Sequence, residues 1–334
     1  MKILIIHTFG MGDMLMFTPT LKRLIEIFPE SEIDFFITQQ ASAKVIEANS
    51  RIKNIFIEKN NIKNLFFRGL ELRKRKYDIS IITSGVKSWK GIVFSFLVGA
   101  NIKCGEINKY NFLYKYFIKK DIKQHRVISN IKLLNKLNPS LENFKNLEYK
   151  YWFANNNIKF SDSFMEKNNL KNKIIFGIHP GCNKNFKYRR WPKENYEEIV
   201  KELSKKINVI VFLGPDEIEE GEYLKNKLKN VKNVIFLKER DLGNVAAIIS
   251  KCSYFFNSDS GLGHIAGCFN LKKTFTIFGP ANPFETKIYN KNNILIYNYS
   301  KNRNYYKIVE KNGTLKCLND ISVEKVLRII EKEL

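Results

Sequence analysis

Asp259-Ser260-Gly261-Leu262-Gly263-His264 lies between an apolar run, Tyr254 to Asn257, and a segment with helical character from Gly263 to Phe269. A strand end leading through glycines into a helix exposes backbone N–H groups beside a small hydroxyl, and that combination suits a diphosphate. His264 can donate a hydrogen bond to a phosphate oxygen, and Asp259 can cap the helix or orient the loop. A capped glycine turn with no ligand fits the same six residues equally well. Three further strand ends carry special residues. Ile174 to His179 runs into His179-Pro180-Gly181 and then a cationic loop containing Lys187, Arg189 and Arg190, closed by Trp191-Pro192. Cations there would neutralise a departing diphosphate, or simply form a solvated basic loop. Val209 to Leu213 ends in Gly214-Pro215-Asp216-Glu217, where a carboxylate can bind ribose hydroxyls or lead a helix. Thr274 to Phe278 ends in Gly279-Pro280.

Strands must bring these loops to one edge. In the second half of the chain the apolar runs alternate with helical segments at Lys193–Lys206, Glu219–Leu228 and Leu242–Lys251, the pattern of βαβ units. A closing helix is expected from Ser322, with Ser322 as its N-cap and Glu324 in the first turn. The first half repeats the theme. Strands are expected at Lys2–Ile6, Ile33–Thr38, Ile52–Glu58 and Tyr77–Thr83, with helices from Met14 to Phe28, Ala41 to Ala48, Leu65 to Lys76 and His125 to Leu137. Pro19 should kink the first of these helices or start a second. Asn155 to Ser161 reads as polar and irregular, and 168–173 as the domain boundary. The expected architecture is α/β with two Rossmann-like domains, 1–170 and 171–334, the last helix packing back on the first.

The chain has 334 residues, too many for one ordinary core and suited to two domains of about 150. With 44% hydrophobic residues both can fill a core. The formal charge is +24, from 57 Lys and Arg against 33 Asp and Glu. Nucleic acid, an anionic membrane or substrate, and compositional drift toward Lys, Asn, Ile and Phe all fit that figure. The cations are scattered rather than gathered in an arm or tail, which argues against nucleic acid. Five widely spaced cysteines without a CxxC suggest reduced, buried thiols. No Asp-x-Asp pair occurs, so a metal bridging a diphosphate is not expected. The apolar run at Ile3–Ile6 is too short for a signal-peptide core, and the longest other, Ile92 to Ala100, is about half of a membrane span.

His179-Pro180-Gly181, Arg190-Trp191-Pro192, Asp259 to His264 and Phe278-Gly279-Pro280, together with Gly10-Met11-Gly12-Asp13 and Thr18-Pro19, resemble glycosyltransferase family 9, the heptosyltransferases of lipopolysaccharide core synthesis. His125-Arg126 and the stretch from Cys317 to Val326 extend the likeness over nearly the whole chain. The resemblance implies the GT-B fold, two Rossmann-like domains facing each other across a cleft. The N-terminal domain would take the acceptor and the C-terminal one ADP-heptose. It implies Asp13 as the general base, and Asp259, Ser260, Gly261, Leu262, Gly263 and His264 as the donor loop. Asp216 or Glu217 would be the donor-contacting acid. Arg189 falls where the family usually has a phosphate-binding lysine, a change that keeps charge but alters geometry; Lys187 is the other candidate. The acceptor would be an anionic lipid-linked saccharide, contacted by Gly12, Lys87 and Lys90. Arg68, Arg73 and Arg75 would lie near an anionic membrane. The expected protein is a monomer on the cytoplasmic face of the inner membrane, needing no metal or other cofactor and no nucleic acid. A UDP- or GDP-sugar donor, or nucleotide-sugar or nucleic-acid binding without turnover, are the alternatives.

Overall fold

A computed structural model describes residues 1–59, 61–84, 89–107, 111–139, 147–300, 304, 307–310 and 314–334, without the side chain of residue 89. The chain divides into two compact units, Met1–Phe153 and Ala154–Leu334. Each is built on a six-stranded parallel sheet.

In the first unit the strands are β1 (Lys2–His7), β2 (Glu32–Ile37), β3 (Ile52–Ile57), β4 (Ile79–Ile82), β5 (Ile102–Glu106) and β6 (Tyr116–Ile118), in the order β3-β2-β1-β4-β5-β6. Ile3, Leu4, Ile5 and Ile6 are fully buried because β1 is central and covered on both faces. The pleat divides neighbouring aromatics between the two layers. Phe35 meets Phe17 of helix Met11–Ile27 edge-on, whereas Phe36 stacks on Phe94 of helix Trp89–Val98 at 3.9 Å between centroids.

The second unit contains β7 (Ile175–His179), β8 (Asn208–Phe212), β9 (Val234–Leu237), β10 (Tyr254–Ser258), β11 (Lys273–Phe278) and β12 (Asn293–Tyr297), in the order β12-β11-β10-β7-β8-β9. Counted from its own first strand, this is the same doubly wound order as in the first unit. In each sheet the chain reverses direction across one pair of neighbours: β1 and β4 in the first, β7 and β10 in the second. Ligands of open parallel sheets bind outside the carboxyl ends of such a pair.

Several expectations are corrected. Asn155–Lys167 is helical, not irregular. Its buried stripe is Asn157, Ser161 and Met165, one residue per turn but two of them polar, so no apolar periodicity advertises it. Asn157 accepts from the Ala154 N–H at 3.0 Å and donates to Asn244 at 2.9 Å. These bonds tie the helix to Leu242–Ile249, so the division falls after Phe153 rather than at 170. The closing helix, Val323–Glu331, is capped by Ser322 as expected. It packs Val323, Val326 and Ile330 into the second unit's own core.

Pro19 neither breaks nor restarts its helix, which runs unbroken from Met11 to Ile27. The proline leaves the Leu15 carbonyl without its usual amide donor. The Thr18 hydroxyl donates to that carbonyl at 2.7 Å and accepts from the Lys150 N–H at 2.9 Å. Thr18→Val would strand the buried Leu15 carbonyl and remove the acceptor of the part-buried Lys150 N–H, and should cost about 1–3 kcal/mol, read as a lower urea midpoint for the first unit. A loss below about 0.5 kcal/mol would mean the hydroxyl does not compensate the proline.

Candidate active site

In the second unit the loops after β7 and β10 are joined by an ion pair. Asn183 caps a 3-10 helix, Lys184–Arg189, which replaces the loop expected there. At its end the Arg189 guanidinium donates to Asp259 Oδ2 at 3.0 Å. The same guanidinium lies 4.4 Å from the Phe186 ring and 5.9 Å from Tyr188, so two aromatic faces and a carboxylate hold a cation at the switch point. Lys187, on the same short helix, is exposed. Asp259 is itself fixed, its N–H donating to the Ile277 carbonyl at 3.0 Å. Ser260 caps helix Gly261–Ala266 by accepting from the Gly263 N–H at 3.4 Å. Gly261 and Leu262 are half-buried and His264 is buried. A side chain at Gly263 would collide with the Asn257 amide, which is why this position is glycine.

The two acids after β8 have different surroundings. Glu217 is 4% exposed. It accepts from the Gly214 N–H at 2.7 Å and lies 3.5 Å from Arg190. A methyl group at Gly181 or Gly214 would strike the Glu217 side chain, so the two glycines exist to admit it. Its carboxylate is spent on the scaffold. Asp216 is half-buried and accepts from the Lys184 N–H at 3.2 Å, leaving its carboxylate at the protein surface.

Arg190 is the hub of this end of the sheet. It donates to Glu220 at 2.5 Å, to the Cys182 carbonyl at 2.6 Å and to the Asp216 carbonyl at 2.8 Å. Trp191, packed beside Tyr196 and Phe256, sends its indole N–H to the Ile321 carbonyl at 3.0 Å. His179 Nδ1 lies 3.0 Å from the Phe212 carbonyl; a carbonyl only accepts, so this nitrogen carries the proton. Burial pushes the Cys182 thiol up to about 11, which keeps it protonated and no nucleophile.

In the first unit, Gly10 caps helix Met11–Ile27, three residues earlier than the sequence suggests, and Asp13 stands inside its first turn rather than in the turn before it. Asp13 forms an ion pair with Arg126, both side chains about four-fifths buried. The His125 imidazole caps helix Arg126–Leu137 by accepting from the Val127 N–H at 3.2 Å, and that cap sets where Arg126 begins. Beneath them His7, the last residue of β1, is fully buried. Burial lowers its pKa, so the ring is neutral. Nε2 lies 3.3 Å from the Gly10 carbonyl and Nδ1 2.9 Å from the Thr83 hydroxyl. Nε2–H donates to that carbonyl, and the imidazole thereby ties the end of β1 to the cap of the helix bearing Asp13. Arg126 and His7 were not among the expected site residues. Nothing in spacing links Asp13 to a residue 113 positions later. Gly12 is half-buried next to Asp13, and Lys90 is half-buried at the start of helix Trp89–Val98. Lys87 lies outside the described residues. Among the described residues, no group of three or more His, Cys, Asp or Glu side chains could hold a metal ion.

The family model described as glycosyltransferase family 9 (heptosyltransferase) matches residues 68–317, well over half of the chain. The chain belongs to glycosyltransferase family 9. This family member is a glycosyltransferase, and its two doubly wound units make up the GT-B fold. A structure of glycosyltransferase family 9 from Veillonella parvula is similar at 21% identity and a TM-score of 0.80, over 99% of this chain and 96% of that one. The E. coli ADP-heptose LPS heptosyltransferase II matches at 20% identity and a TM-score of 0.79, over 100% and 98%. The E. coli heptosyltransferase WaaC with ADP matches at 18% and 0.74 over the whole of both chains. At these identities the likeness establishes the shared fold. No curated protein sequence matches this family 9 chain significantly.

Proposed function

We propose that this glycosyltransferase moves a heptose from ADP-heptose to an inner-core acceptor of lipopolysaccharide, Kdo–lipid A or its heptosylated form, with inversion at the anomeric carbon. The observation that carries the reading is a carboxylate–guanidinium pair at each sheet's switch point. Asp13, paired with Arg126, stands after β1 at one, and Arg189, paired with Asp259 and flanked by two aromatic rings, stands after β7 at the other. Asp13 accepts the proton of the acceptor hydroxyl as its oxygen bonds to the anomeric carbon. The bond from that carbon to the diphosphate breaks on the opposite face. Arg189, with Lys187, meets the charge that grows on the departing diphosphate. The Ser260–His264 segment receives the phosphates, and Asp216, rather than the buried Glu217, the ribose hydroxyls. Gly12 and Lys90 lie on the acceptor side, and the first unit is the acceptor domain. The reaction needs no metal: cations of the protein take that part. The enzyme works as a monomer on the cytoplasmic face of the inner membrane, where its lipid-linked acceptor is made. Fold relatives whose structures carry ADP or ADP-2-deoxy-2-fluoro heptose support the choice of donor.

A thermal-shift panel of ADP, UDP and GDP and their sugars tests it. ADP and ADP-heptose, at a hundred times their dissociation constant, should stabilise the protein by about 2.7 kcal/mol through mass action. Stabilisation by UDP- or GDP-sugars alone would remove ADP-heptose as the donor and leave a family 9 enzyme with another nucleotide sugar.

A further inference from the structure

Helices Ile62–Arg73 and Trp89–Val98 cover one face of the first sheet and pack on each other closely, with Gly69 against Leu97 and Phe94. Their inward positions, Leu65, Leu72, Phe94 and Val98, fill the core. Their outward positions are apolar as well. Ile62, Phe66, Leu70 and Phe67 are exposed on the first helix, and Val93 and Phe96 on the second, with Phe67 at 61% and Phe96 at 56%. Phe66 and Phe67 touch edge to face. On a helix surface, Ile62, Phe66 and Leu70 are successive i,i+4 neighbours, and Val93 and Phe96 are i,i+3 neighbours, so each helix offers a stripe rather than scattered residues. Single exposed apolar residues need no explanation, but a group of six on adjoining helices marks an interaction surface.

The charged residues among them are mostly cations. Lys63, Arg73 and Lys74 are exposed on the first helix or at its end. Lys90 begins the second, and the Lys103 ammonium lies 6.0 Å from the Phe96 ring. Helix Trp89–Val98 contains no acid, and the only acid of Ile62–Arg73, Glu71, is paired with Arg68. Two of the arginines expected from the sequence to face a membrane are engaged within the protein: Arg68 by Glu58 and Glu71, Arg75 by Asp34. Lys63, Arg73 and Lys74, all exposed, form the cationic rim of the phenylalanines.

We infer that this two-helix face docks the protein on an anionic lipid bilayer. Phe66, Phe67, Leu70, Val93 and Phe96 enter the boundary between headgroups and acyl chains, and the rim of lysines meets lipid phosphates. An apolar stripe edged by cations is the chemistry of a helix lying in the plane of a bilayer, where apolar burial and charge attraction add. Each cation near an anionic surface strengthens binding by about fivefold. A second copy of the chain suits the face less well, because a twofold contact would bring two cationic rims together. The inference supplies a surface for the membrane location proposed above and is independent of the donor assignment.

Co-sedimentation of the full-length protein with vesicles tests it, comparing phosphatidylcholine alone with an equimolar mixture of phosphatidylcholine and phosphatidylglycerol. The wild type should sediment with the mixed vesicles and far less with the neutral ones. The variant F67S/F96S changes two solvent-facing side chains, so its melting temperature should stay near that of the wild type. Its affinity for mixed vesicles should fall on the order of tenfold or more, while ADP still raises its melting temperature. Wild-type protein that ignores anionic vesicles, or a variant that binds them as well as the wild type, overturns the inference. A variant whose only change is loss of self-association on size exclusion also overturns it, in favour of a contact between copies. Loss of the ADP shift with vesicle binding intact would instead sink the donor reading alone.

Discussion

Replacing Asp13 by alanine should lower the rate of sugar transfer by about 10²–10⁴-fold, the usual worth of a positioned general base, while ADP-heptose binding is retained. The carboxylate has little structural duty that would confuse the result. Gly10, not Asp13, caps the helix, and the His7 imidazole secures that cap from below. What Asp13 does have is Arg126, whose guanidinium occupies one of its oxygens. In the proposed mechanism the other oxygen takes the acceptor proton. Asp13→Asn is the sharper variant, since it keeps the shape and an oxygen for Arg126 but cannot act as a base. Single-turnover transfer at saturating donor, beside a direct measurement of donor affinity, separates chemistry from binding. Transfer by Asp13→Asn within about threefold of the wild type would take the base assignment away from this residue.

The second large effect is on stability. Arg190→Ala should destabilise the second unit by about 3–5 kcal/mol, because it leaves the buried Glu217 and Glu220 carboxylates uncompensated. It also removes the donor shared by the Cys182 and Asp216 carbonyls, which hold the turns after β7 and β8 together. The cause can be isolated. If stranded charge dominates, adding Glu217→Gln and Glu220→Gln to Arg190→Ala should restore a large part of the loss, although each glutamine by itself removes a native contact. Urea unfolding followed by the fluorescence of Trp191, which is buried beside the site, reports it. A loss below about 1 kcal/mol for Arg190→Ala, or no recovery in the triple variant, would show that the network carries little of the stability.

The central strands were legible because burial on both faces demands unbroken apolar runs, as in Ile3–Ile6 and Ile175–Ile178. The edge strand β3 was legible too, but the edge strands β6 and β12, and β5 beside β6, were not. β6 is three residues long and only half-buried, and β12 is half-buried along most of its length, so neither needs the composition that marks a strand. Helix Asn155–Lys167 was hidden by the polarity of its buried stripe. In the candidate site, the loop sequences singled out Arg189 and Asp259, because strand ends and glycines have a one-dimensional signature, and the family resemblance singled out Asp13. The partnerships did not. Asp13 with Arg126, and Arg189 with Asp259, are separated by 113 and 70 positions, and only the fold relates them. The buried placement of Glu217 was written in the sequence in an indirect form. Gly181 and Gly214 are the imprint of the Glu217 side chain lying against them.

The hydrogen bond from the Trp191 indole to the Ile321 carbonyl spans 130 positions, and it sets an order of events on the ribosome. Trp191 emerges early in the second unit's synthesis and must wait for nearly all of that unit before its N–H finds an acceptor. Val323, Val326 and Ile330, which complete the apolar layer around it, arrive later still. A nascent chain halted before Ile321 therefore presents an unclosed core and a stranded indole. Such a fragment already contains Arg189 and Asp259, yet its core is incomplete. Completion of the fold, and not mere presence of the site residues, marks the moment the second unit becomes competent.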